Sequence, residues 1–365
     1  MREWLNKIIN GDCIEQMRLM PDASVDCVFA DPPYNLQLGN KTLYRPEDGT
    51  AARAVRDEWD SFASAAAYDK FTRDWLAQCR RVLKPNGCIW VIGSYHNIYR
   101  IGAAMQDAGF WFLNDIVWVK TNPMPNFRGT RFTNAHETMI WATPTKTGGY
   151  TFNYDTMKKL NNGKQMRSDW NLDICLGGER LKGTDGKSLH NTQKPESLLQ
   201  RIILASTRAG DVILDPFMGS GTTGAVARAL GRNFIGIEQD AGYVAAALER
   251  IAAIMPVDLT EWEVAPKREE AKVAFRELIA GGLLHVGQTL VGPRGDRVII
   301  THDCQLAHTT LGKSSIHVMA AKIQRCVSFN GWDYWSAVRN DGTMVPIDDL
   351  RKIVRETRTE LAKAA

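Results

Sequence analysis

The chain has 365 residues, of which 44% are hydrophobic and 24% charged, which is the composition of an ordinary globular protein. No apolar run reaches the ~18 residues that a membrane-spanning helix needs. Residues 1–13 lack the apolar core of a signal peptide, so we expect a cytoplasmic protein. The seven cysteines form neither a CxxC pair nor a cluster with histidine, so neither a zinc site nor a disulfide framework is expected.

The net charge of +4 is unevenly distributed along the chain. Residues 266–365 hold all of the positive excess, and residues 120–190 form a second basic region within an otherwise acidic remainder. Two basic regions separated by a neutral to acidic body are typical of a protein that binds a polyanion such as nucleic acid. When the charge distribution is considered alone, solvated lysines on loops explain it equally well.

The first half of the chain alternates between strand and helix signals. Apolar and β-branched runs predict strands, and apolar residues at helical spacing predict helices. The predicted elements are, in order, a strand at Val25–Ala30, a helix at 65–83, a strand at Cys88–Ile92, a helix at Ile98–Ala108 and a strand at Phe110–Val119. The Lys84–Gly87 segment, with its proline and glycine, predicts a turn.

Residues 121–190 break this alternation. Gly, Asn, Pro, Thr and Lys dominate stretches such as NPMPNFRGTRF and KKLNNGKQMRS. A long irregular insert inside a compact domain is usually functional or disordered. We therefore expect an irregular insert here.

The alternation of helix and strand patterns resumes after residue 190. They predict, in order, a helix at Pro195–Ala205, a strand at Asp211–Leu214, a helix at Thr222–Leu230, a strand at Asn233–Ile237 and a helix at 240–254. The alternation predicts an α/β fold, with a doubly wound and mostly parallel sheet over residues 1–254. Residues 255–272 are typical of a charged linker, and residues 273–365 of a small α+β domain. In that domain Trp332 and Trp335 have the spacing of a small core, with stacking on unpaired bases as the alternative.

A glycine-rich turn joins a predicted strand to a predicted helix in the second half. Gly219, Gly221 and Gly224 fit the pattern G-x-G-x-x-G, and the next predicted strand ends at Glu238. Such glycines let the backbone approach a ligand at a helix N-terminus, and the acid can accept hydrogen bonds from two ribose hydroxyls. The ligand is then a nicotinamide dinucleotide or another adenosine-containing cofactor, unless the turn binds nothing. Asp215-Pro216-Phe217 departs from the usual dinucleotide loop and favours S-adenosylmethionine.

The tetrapeptide Asp31-Pro32-Pro33-Tyr34 directly follows the first predicted strand. Two consecutive prolines fix φ and remove two backbone donors, which leaves carbonyls free to accept hydrogen bonds. Of the two N–H groups of an exocyclic amine, Asp31 can accept one and the Pro32 carbonyl the other, which steers the nitrogen lone pair towards a methyl donor. Tyr34 offers a face for the base, which must leave its duplex stack. The tetrapeptide therefore predicts a site for an amino-purine or amino-pyrimidine, and a plain strand-ending turn is the alternative.

These motifs resemble those of the amino-methyltransferases that act on DNA, which share a D/N/S-P-P-Y/F/W tetrapeptide and an F-x-G-x-G cofactor loop. Here the tetrapeptide precedes the cofactor loop. This circularly permuted order is similar to that of the β-group of DNA adenine methyltransferases, with residues 121–190 as the target-recognition region. Over nearly its whole length the chain resembles the cell-cycle-regulated CcrM-type enzymes. The stretches that carry this resemblance are NGDCIEQM (10–17), DPPYNLQL (31–38), GSYHNIYR (93–100), NPMPNFRGTRFTNAHET (122–138) and NGWDYW (330–335).

The resemblance implies a Rossmann-like methyltransferase fold and N6-methylation of adenine in GANTC, with S-adenosylmethionine as cofactor. It also implies a homodimer on double-stranded DNA, associated with the nucleoid, without a metal or a membrane partner. The positions implied at the target base are Asp31, Pro32, Pro33 and Tyr34. The positions implied at the cofactor are Asp12, Thr192, Lys194, Asp215, Phe217, Gly219, Gly221 and Glu238. In the HNTQKP segment this chain has Asn191 where the family usually has proline.

The resemblance also implies contacts with DNA or with the flipped base. The corresponding positions in this chain are Arg128, Arg131, Asn134, His136 and Glu137. For the two arginines a phosphate or guanine contact is favoured over plain surface charge. His136 is expected to be an ordinary hydrogen-bonded histidine, and the domain at 273–365 is expected to bind DNA.

Three other functions stay open at this point. Cytosine N4 methylation uses the same architecture, but the family's cytosine enzymes mostly have serine where this chain has Asp31. A nicotinamide dehydrogenase built around residues 211–238 leaves the tetrapeptide and both basic regions unexplained. A non-catalytic DNA-binding protein is disfavoured by the intact tetrapeptide.

Overall fold

The computed structural model describes residues 1–35, 43–44, 51–52, 60–126, 129–175, 177–181, 192–264, 273–339 and 341–364. The chain divides into two units, Met1–Ala265 (unit 1) and Pro266–Ala365 (unit 2). Within the described ranges, no helix combines the length and the apolar character that crossing a membrane requires. The same ranges hold no group of three or more His, Cys, Asp or Glu side chains placed to bind a metal ion.

Unit 1 is built around one large sheet. Its strands are β1 (Lys7–Asn10), β2 (Val25–Ala30), β3 (Leu43–Tyr44), β4 (Ala51–Ala52), β5 (Leu83–Gly93), β6 (Trp111–Lys120), β7 (His136–Thr143), β8 (Asp169–Leu172), β9 (Val212–Asp215) and β10 (Asn233–Glu238). Eight of them form the sheet in the order β1-β10-β9-β2-β5-β7-β6-β8, and the short β3 and β4 pair with each other. β7 pairs antiparallel with β5 and β6, whereas the other described pairs in this sheet are parallel. The prediction of a mostly parallel sheet is therefore confirmed.

Helices cover both faces of this sheet. They are α1 (Cys13–Leu19), α2 (Ala65–Val82), α3 (Ile98–Asp107), α4 (Tyr154–Leu160), α5 (Glu196–Ser206), α6 (Thr222–Ala229) and α7 (Ala241–Ala252). Because strand side chains alternate between the two faces, Phe29 of β2 joins a buried cluster with α4–α7, and Val28 joins another with α1–α3. This two-sided packing is the doubly wound α/β architecture that the alternating sequence pattern predicted.

The segment Lys84–Gly87 differs from the predicted turn, because it lies inside β5. Val25 of β2 pairs with Leu83 before the segment. Cys27 pairs with Cys88 after it, so the segment bulges out between two regular pairs. Its proline and glycine therefore allow a local bulge in a continuing strand, and the chain does not reverse there.

The insert at 121–190 is more regular than predicted. It contains β7, α4 and β8, and β7 lies inside the large sheet between β5 and β6. Met139, Ile140 and Trp141 of β7 are buried. The prediction of an irregular insert is therefore wrong for His136–Thr143, where pairing on both sides stabilises a strand that its Gly-, Asn- and Pro-rich surroundings obscured.

The first part of the predicted linker packs on unit 1. Within residues 255–264, Trp262 packs against the buried cluster that contains α4–α7. Glu263 Oε1 lies 2.5 Å from Nη2 of Arg232, whose side chain is fully buried. The contacts of unit 1 therefore continue at least to Glu263, while residues 265–272 lie outside the described ranges.

Unit 2 has a sheet and a core of its own. Its strands are β11 (Thr289–Val291), β12 (Arg297–Ile300), β13 (Leu306–His308), β14 (Gly312–Ser314), β15 (Ser336–Val338) and β16 (Met344–Pro346). They form an antiparallel sheet in the order β14-β13-β12-β11-β15-β16. Its helices are α8 (Phe275–Ala280), α9 (Ile316–Gln324), α10 (Gly331–Tyr334) and α11 (Ile347–Ala364). Trp332 and Trp335 are buried in this core, so their predicted core role is confirmed.

Candidate active site

Loops at one edge of the large sheet enclose a cavity of about 550 Å³. β2 ends just before Asp31, and β9 and β10 end at Asp215 and Glu238. Because these strands are parallel, their carboxyl ends share one edge, which is where open α/β sheets bind ligands. The predicted site residues that line the cavity are Asp31, Pro32, Pro33, Tyr34, Thr192, Lys194, Phe217, Gly219 and Glu238.

Only one oxygen of the Asp31 carboxylate forms a hydrogen bond with the described residues. Lys194 Nζ donates a hydrogen bond to Asp31 Oδ2 at 2.7 Å. Asp31 Oδ1 has no hydrogen-bond partner among the described residues. Leaving a buried carboxylate oxygen unpaired costs free energy, so Oδ1 retains acceptor capacity that the described hydrogen bonds do not use.

Lys194 connects Asp31 to a second carboxylate. Its Nζ lies 3.8 Å from Glu137 Oε2 and 5.2 Å from the centre of the Tyr34 ring. The Tyr34 hydroxyl donates to Glu137 Oε2 at 2.9 Å, and Lys120 Nζ donates to Glu137 Oε1 at 2.7 Å. Two carboxylates and two ammonium groups therefore alternate in one largely buried network.

The reversed direction of β7 brings this network together. Glu137, near the start of β7, pairs with Trp118, near the end of β6. Lys120, the last residue of β6, therefore reaches the same edge as the end of β2. Lys194 immediately precedes the first turn of α5, and its carbonyl accepts a hydrogen bond from Thr222 Oγ1 at 3.3 Å. Sequence reasoning considered Glu137 only as a DNA or base contact and missed Lys120, which no motif marks.

Burial and charge together set the protonation of the network. Burial raises the pKa of Asp31, an effect that Lys194 reduces and Glu137 reinforces. Burial also favours a higher pKa for Glu137, but Lys194 and Lys120 outweigh it and lower that pKa. For Lys194 burial favours a lower pKa, but Asp31 and Glu137 hold it above its ordinary value. Burial and both neighbouring carboxylates raise the pKa of Tyr34, which keeps its hydroxyl a hydrogen-bond donor.

The carbonyl of Pro33 already has partners within the protein. The Tyr68 hydroxyl donates to it at 2.8 Å, and Asn97 Nδ2 donates to it at 3.4 Å. Residues of α2 and of the start of α3 therefore tether the tetrapeptide. The Pro33 carbonyl therefore accepts its hydrogen bonds from the protein, and the contact expected at the Pro32 carbonyl stays a prediction.

The glycine turn and the predicted ribose-binding acid are hydrogen-bonded to each other. Gly219 N–H donates to Glu238 Oε2 at 2.8 Å, and Asp240 N–H donates to Oε1 at 2.9 Å. Each carboxylate oxygen keeps further acceptor capacity on the side of the cavity. Gly221 has a φ of +78°, and a Cβ there would lie 2.7 Å from Ala247 Cβ of α7. This glycine is therefore required by the backbone and by helix packing.

Two predicted cofactor residues, Asp215 and Asp12, shape the loops around the cavity. Asp215 Oδ1 accepts from Phe217 N–H at 2.9 Å, and Oδ2 accepts from the Thr223 hydroxyl at 2.5 Å. Burial raises the pKa of Asp215 to about 7. Asp12 Oδ1 accepts from two N–H groups in the first turn of α1, and its Oδ2 accepts from Gln239 Nε2 at 3.1 Å. Both aspartates therefore stabilise the loops that carry cavity-lining residues.

Aromatic side chains that sequence reasoning did not single out also line the cavity. They include Phe62, Phe71 and Tyr243. The ring centre of Phe217 lies 5.4 Å from that of Trp75 in an edge-to-face arrangement and 6.1 Å from that of Phe71. Apolar rings beside a few polar groups are the usual lining of a pocket for a ligand such as adenosine. The helical spacing of Phe71 marked it only as part of an apolar helix face.

Two of the predicted DNA contacts lie on the surface of unit 1, whereas Glu137 is buried in the charged network. Arg131 and Asn134 are exposed. Arg131 Nη1 donates to the Tyr95 hydroxyl at 3.1 Å, and the neighbouring Phe132 is 99% exposed. Arg128 lies outside the described residues. Arg131 and Asn134 are accordingly accessible to a large partner.

Residues 25–249 match the DNA methylase family N6_N4_Mtase, a range that includes the tetrapeptide, the charged network and the glycine turn. The chain belongs to this family. The type II methyltransferase M.HinfI of Haemophilus influenzae is 48% identical to this DNA methylase over 358 residues, which cover 96% of this chain and 97% of that protein. The type II methyltransferase M2.DpnII of Streptococcus pneumoniae is 44% identical over 247 residues, which cover 67% of this chain and 89% of that protein.

The solved structure of the M1.HpyAVI–SAM complex is similar to this DNA methylase as well. It has 30% sequence identity and a TM-score of 0.50, and the match covers 67% of this chain and 98% of that one. The chain is therefore a site-specific DNA methyltransferase, and its cofactor is S-adenosylmethionine. Both the dehydrogenase and the non-catalytic alternatives are excluded.

Proposed function

We propose that this DNA methylase transfers a methyl group to adenine N6 in GANTC, the activity of the CcrM-type enzymes that its sequence resembles. The observation that carries the proposal is that Asp31 lines the cavity and keeps one carboxylate oxygen without a hydrogen-bond partner, as an acceptor for an exocyclic amine needs. Mapping modified bases in DNA from a host that expresses the chain tests it. N6-methyladenine in GANTC is the expected result, and N4-methylcytosine, the product of the alternative activity, would overturn it.

In the proposed reaction the adenine leaves the duplex and stacks on Tyr34. Asp31 Oδ1 accepts one N6–H, which directs the nitrogen lone pair towards the methyl group. Bound S-adenosylmethionine supplies that methyl group as an electrophile on a sulfonium. The methylated nitrogen carries one proton too many, and Asp31 Oδ1 accepts it, because burial raises the pKa of this carboxyl.

The residues of the cavity fit S-adenosylmethionine. Phe71 and Phe217 provide apolar rings for the adenine of the cofactor, and Gly219 allows a close approach of its backbone. Glu238 offers two carboxylate oxygens for the ribose hydroxyls. We propose that these residues hold the cofactor, and that Lys194, which pairs with Asp31, acts mainly on the side of the target base.

Glu238→Ala is expected to weaken S-adenosylmethionine binding by about 1.5–3 kcal/mol, the range for a hydrogen bond to a charged group. The reason is that the ribose hydroxyls lose their acceptor. Isothermal titration calorimetry measures the change, and Glu238→Gln serves as the matched control because it keeps one acceptor oxygen. Equal affinities of the wild-type protein and the alanine variant would contradict the placement of the ribose.

Arg131→Ala is expected to weaken DNA binding, because this exposed guanidinium lies in the basic insert. If it meets a phosphate, affinity falls for all sequences and the salt dependence becomes shallower by about 0.9 in log–log slope. If it meets a base, discrimination is lost at one position of the site. The control is Arg167→Ala in the same insert, since the Arg167 guanidinium is already paired with Asp169 at 2.8 Å. Identical binding by the Arg131 variant and the wild-type protein refutes the contact, and Arg128→Ala repeats the test at the second predicted arginine.

We further propose that the enzyme acts as a homodimer on double-stranded DNA, in the cytoplasm and at the nucleoid, with an activity tied to the cell cycle. A dimer suits a palindromic site that carries one adenine on each strand. Sedimentation of the full chain, alone and with a GANTC duplex, is expected to give a dimer. A monomer under both conditions would contradict the assembly.

A further inference from the structure

We propose that Glu137 is a positioning residue for methyl transfer, which holds Lys194 and Tyr34 in the places from which they act on the carboxylate of Asp31. The inference rests on the proposed function, because it needs Asp31 as the acceptor of an amine proton. It assigns Glu137 an indirect role, distinct from a contact with DNA.

The contacts of Glu137 favour an indirect role in methyl transfer. Its carboxylate accepts from Lys120 through Oε1 and from the Tyr34 hydroxyl through Oε2, and its side chain is only 11% exposed. Asp31, Tyr34 and Lys194 line the cavity, whereas Glu137 is not among its described lining residues. These contacts favour a role for Glu137 through its neighbours.

The hydrogen bond from the Tyr34 hydroxyl to Glu137 links Glu137 to the surroundings of Asp31. The Tyr34 hydroxyl also interacts with the Asp31 carboxylate, whose pKa it lowers. By accepting this hydroxyl at 2.9 Å, Glu137 fixes its position beside Asp31. Glu137 also attracts Lys194 Nζ from 3.8 Å, which restrains the ammonium on the Oδ2 side of Asp31. Glu137 therefore holds both of the donors that act on Asp31.

Because the network is charged, the pH dependence of methyl transfer tests the proposal. The charged neighbours of Asp31 are Lys194, at the start of α5, and Glu137 on β7, with Lys120 on β6 behind it. Asp215 on β9 also acts on it through space. The other described ionisable residues that line the cavity are Cys13, Tyr34, Asp60, Glu238, Asp240 and Tyr243. Of these, only Lys194 and Glu137 are changed in the test.

The experiment measures single-turnover methylation of a GANTC duplex as a function of pH for wild type, Glu137→Gln and Lys194→Gln. Activity falls at low pH when Asp31 becomes protonated. Glu137→Gln removes a charge that raises the pKa of Asp31, so the midpoint of this acid limb is expected to move to lower pH. Lys194→Gln removes a charge that lowers the same pKa, so its midpoint is expected to move to higher pH. Both variants are expected to lose about 10²-fold in maximal rate, the typical cost of a ~1 Å misplacement.

Glu263→Gln is the matched control, because Glu263 forms its ion pair with a buried arginine outside the cavity lining. Its acid limb is expected to coincide with that of the wild type. If Glu137→Gln alone does not fold, the double variant Glu137→Gln/Lys194→Gln removes one charge of each sign. The acid limb of the double variant must then lie at lower pH than that of Lys194→Gln.

Opposite shifts support the positioning role, and shifts in the same direction or no shifts overturn it. The methylated base is identified in the same reactions. Opposite shifts together with N4-methylcytosine would leave the role of Glu137 intact and remove the adenine assignment. N6-methyladenine without shifts would leave the function intact and remove the role of Glu137.

Discussion

Asp31→Ala is expected to abolish methyl transfer, with a loss of at least about 10³-fold, within the range for removing a group that handles a proton in the transition state. In the proposed reaction the Asp31 carboxylate accepts from and orients the target amine, and no other described carboxylate of the network lines the cavity. Methyl transfer from labelled S-adenosylmethionine to a GANTC duplex measures the loss.

Cofactor affinity is the control for Asp31→Ala. Asp31 belongs to the turn after β2, whereas the proposed cofactor contacts lie on α2, on the loop after β9 and at the end of β10. Lys194 loses its partner at 2.7 Å but keeps Glu137 at 3.8 Å, so the buried ammonium is not left without a counter-charge. Calorimetry is expected to give a nearly unchanged dissociation constant. A variant that retained a substantial fraction of wild-type turnover would refute the catalytic assignment.

Ending the chain after Val264 is expected to leave a folded unit 1 that binds S-adenosylmethionine but has lost most of its affinity for DNA. Unit 1 has its own buried clusters on both faces of the sheet, and the cavity is lined by its residues alone. Unit 2 holds the whole net charge of +4, so its removal takes away the excess of positive charge that meets phosphates. If each surplus charge neutralises one phosphate, the log–log salt slope becomes shallower by about 0.9 for each of them.

The end point after Val264 matters for this test. Trp262 and Glu263 pack on unit 1, so a cut at the predicted domain boundary, after residue 254, would remove part of its core and an ion pair. Cofactor binding, thermal unfolding and DNA binding at several salt concentrations are measured on the truncated protein. A truncated chain that aggregates shows that unit 2 covers an apolar face of unit 1. A soluble truncated chain with full DNA affinity contradicts the DNA-binding role of unit 2.

Local patterns were sufficient for most of the elements and for the two motifs. The predicted strand at Val25–Ala30 coincides with β2, and the predicted helix at Ile98–Ala108 is α3 to within one residue. The tetrapeptide and the glycine turn both follow predicted strands. Because neighbouring parallel strands end at the same edge, these two motifs, far apart in the chain, could be expected to share one cavity.

The boundaries that local patterns missed involve pairing between distant segments. β7 lies in a region whose composition resembles a loop, and it is a strand because β5 and β6 pair with it on both sides. The Pro-Gly segment at 84–87 continues a strand because β2 pairs with the residues before and after it. Composition within a short window contains no information about such partners.

The sequence by itself determined the family and predicted its site: an acid in a rigid turn for the amine, and glycines followed by an acid for the cofactor. Only the tertiary structure decided how the acid is held. Lys194 lies 163 residues from Asp31 along the chain, and Glu137 lies 103 residues from Tyr34. Glu137 meets Tyr34 because β7 runs against its neighbours, and Lys194 meets Asp31 because the segment before α5 contacts the start of α6. Ion pairs and hydrogen bonds act over a few ångströms in space, whereas sequence motifs report only the order of residues, so this network becomes visible only when the sheet is assembled.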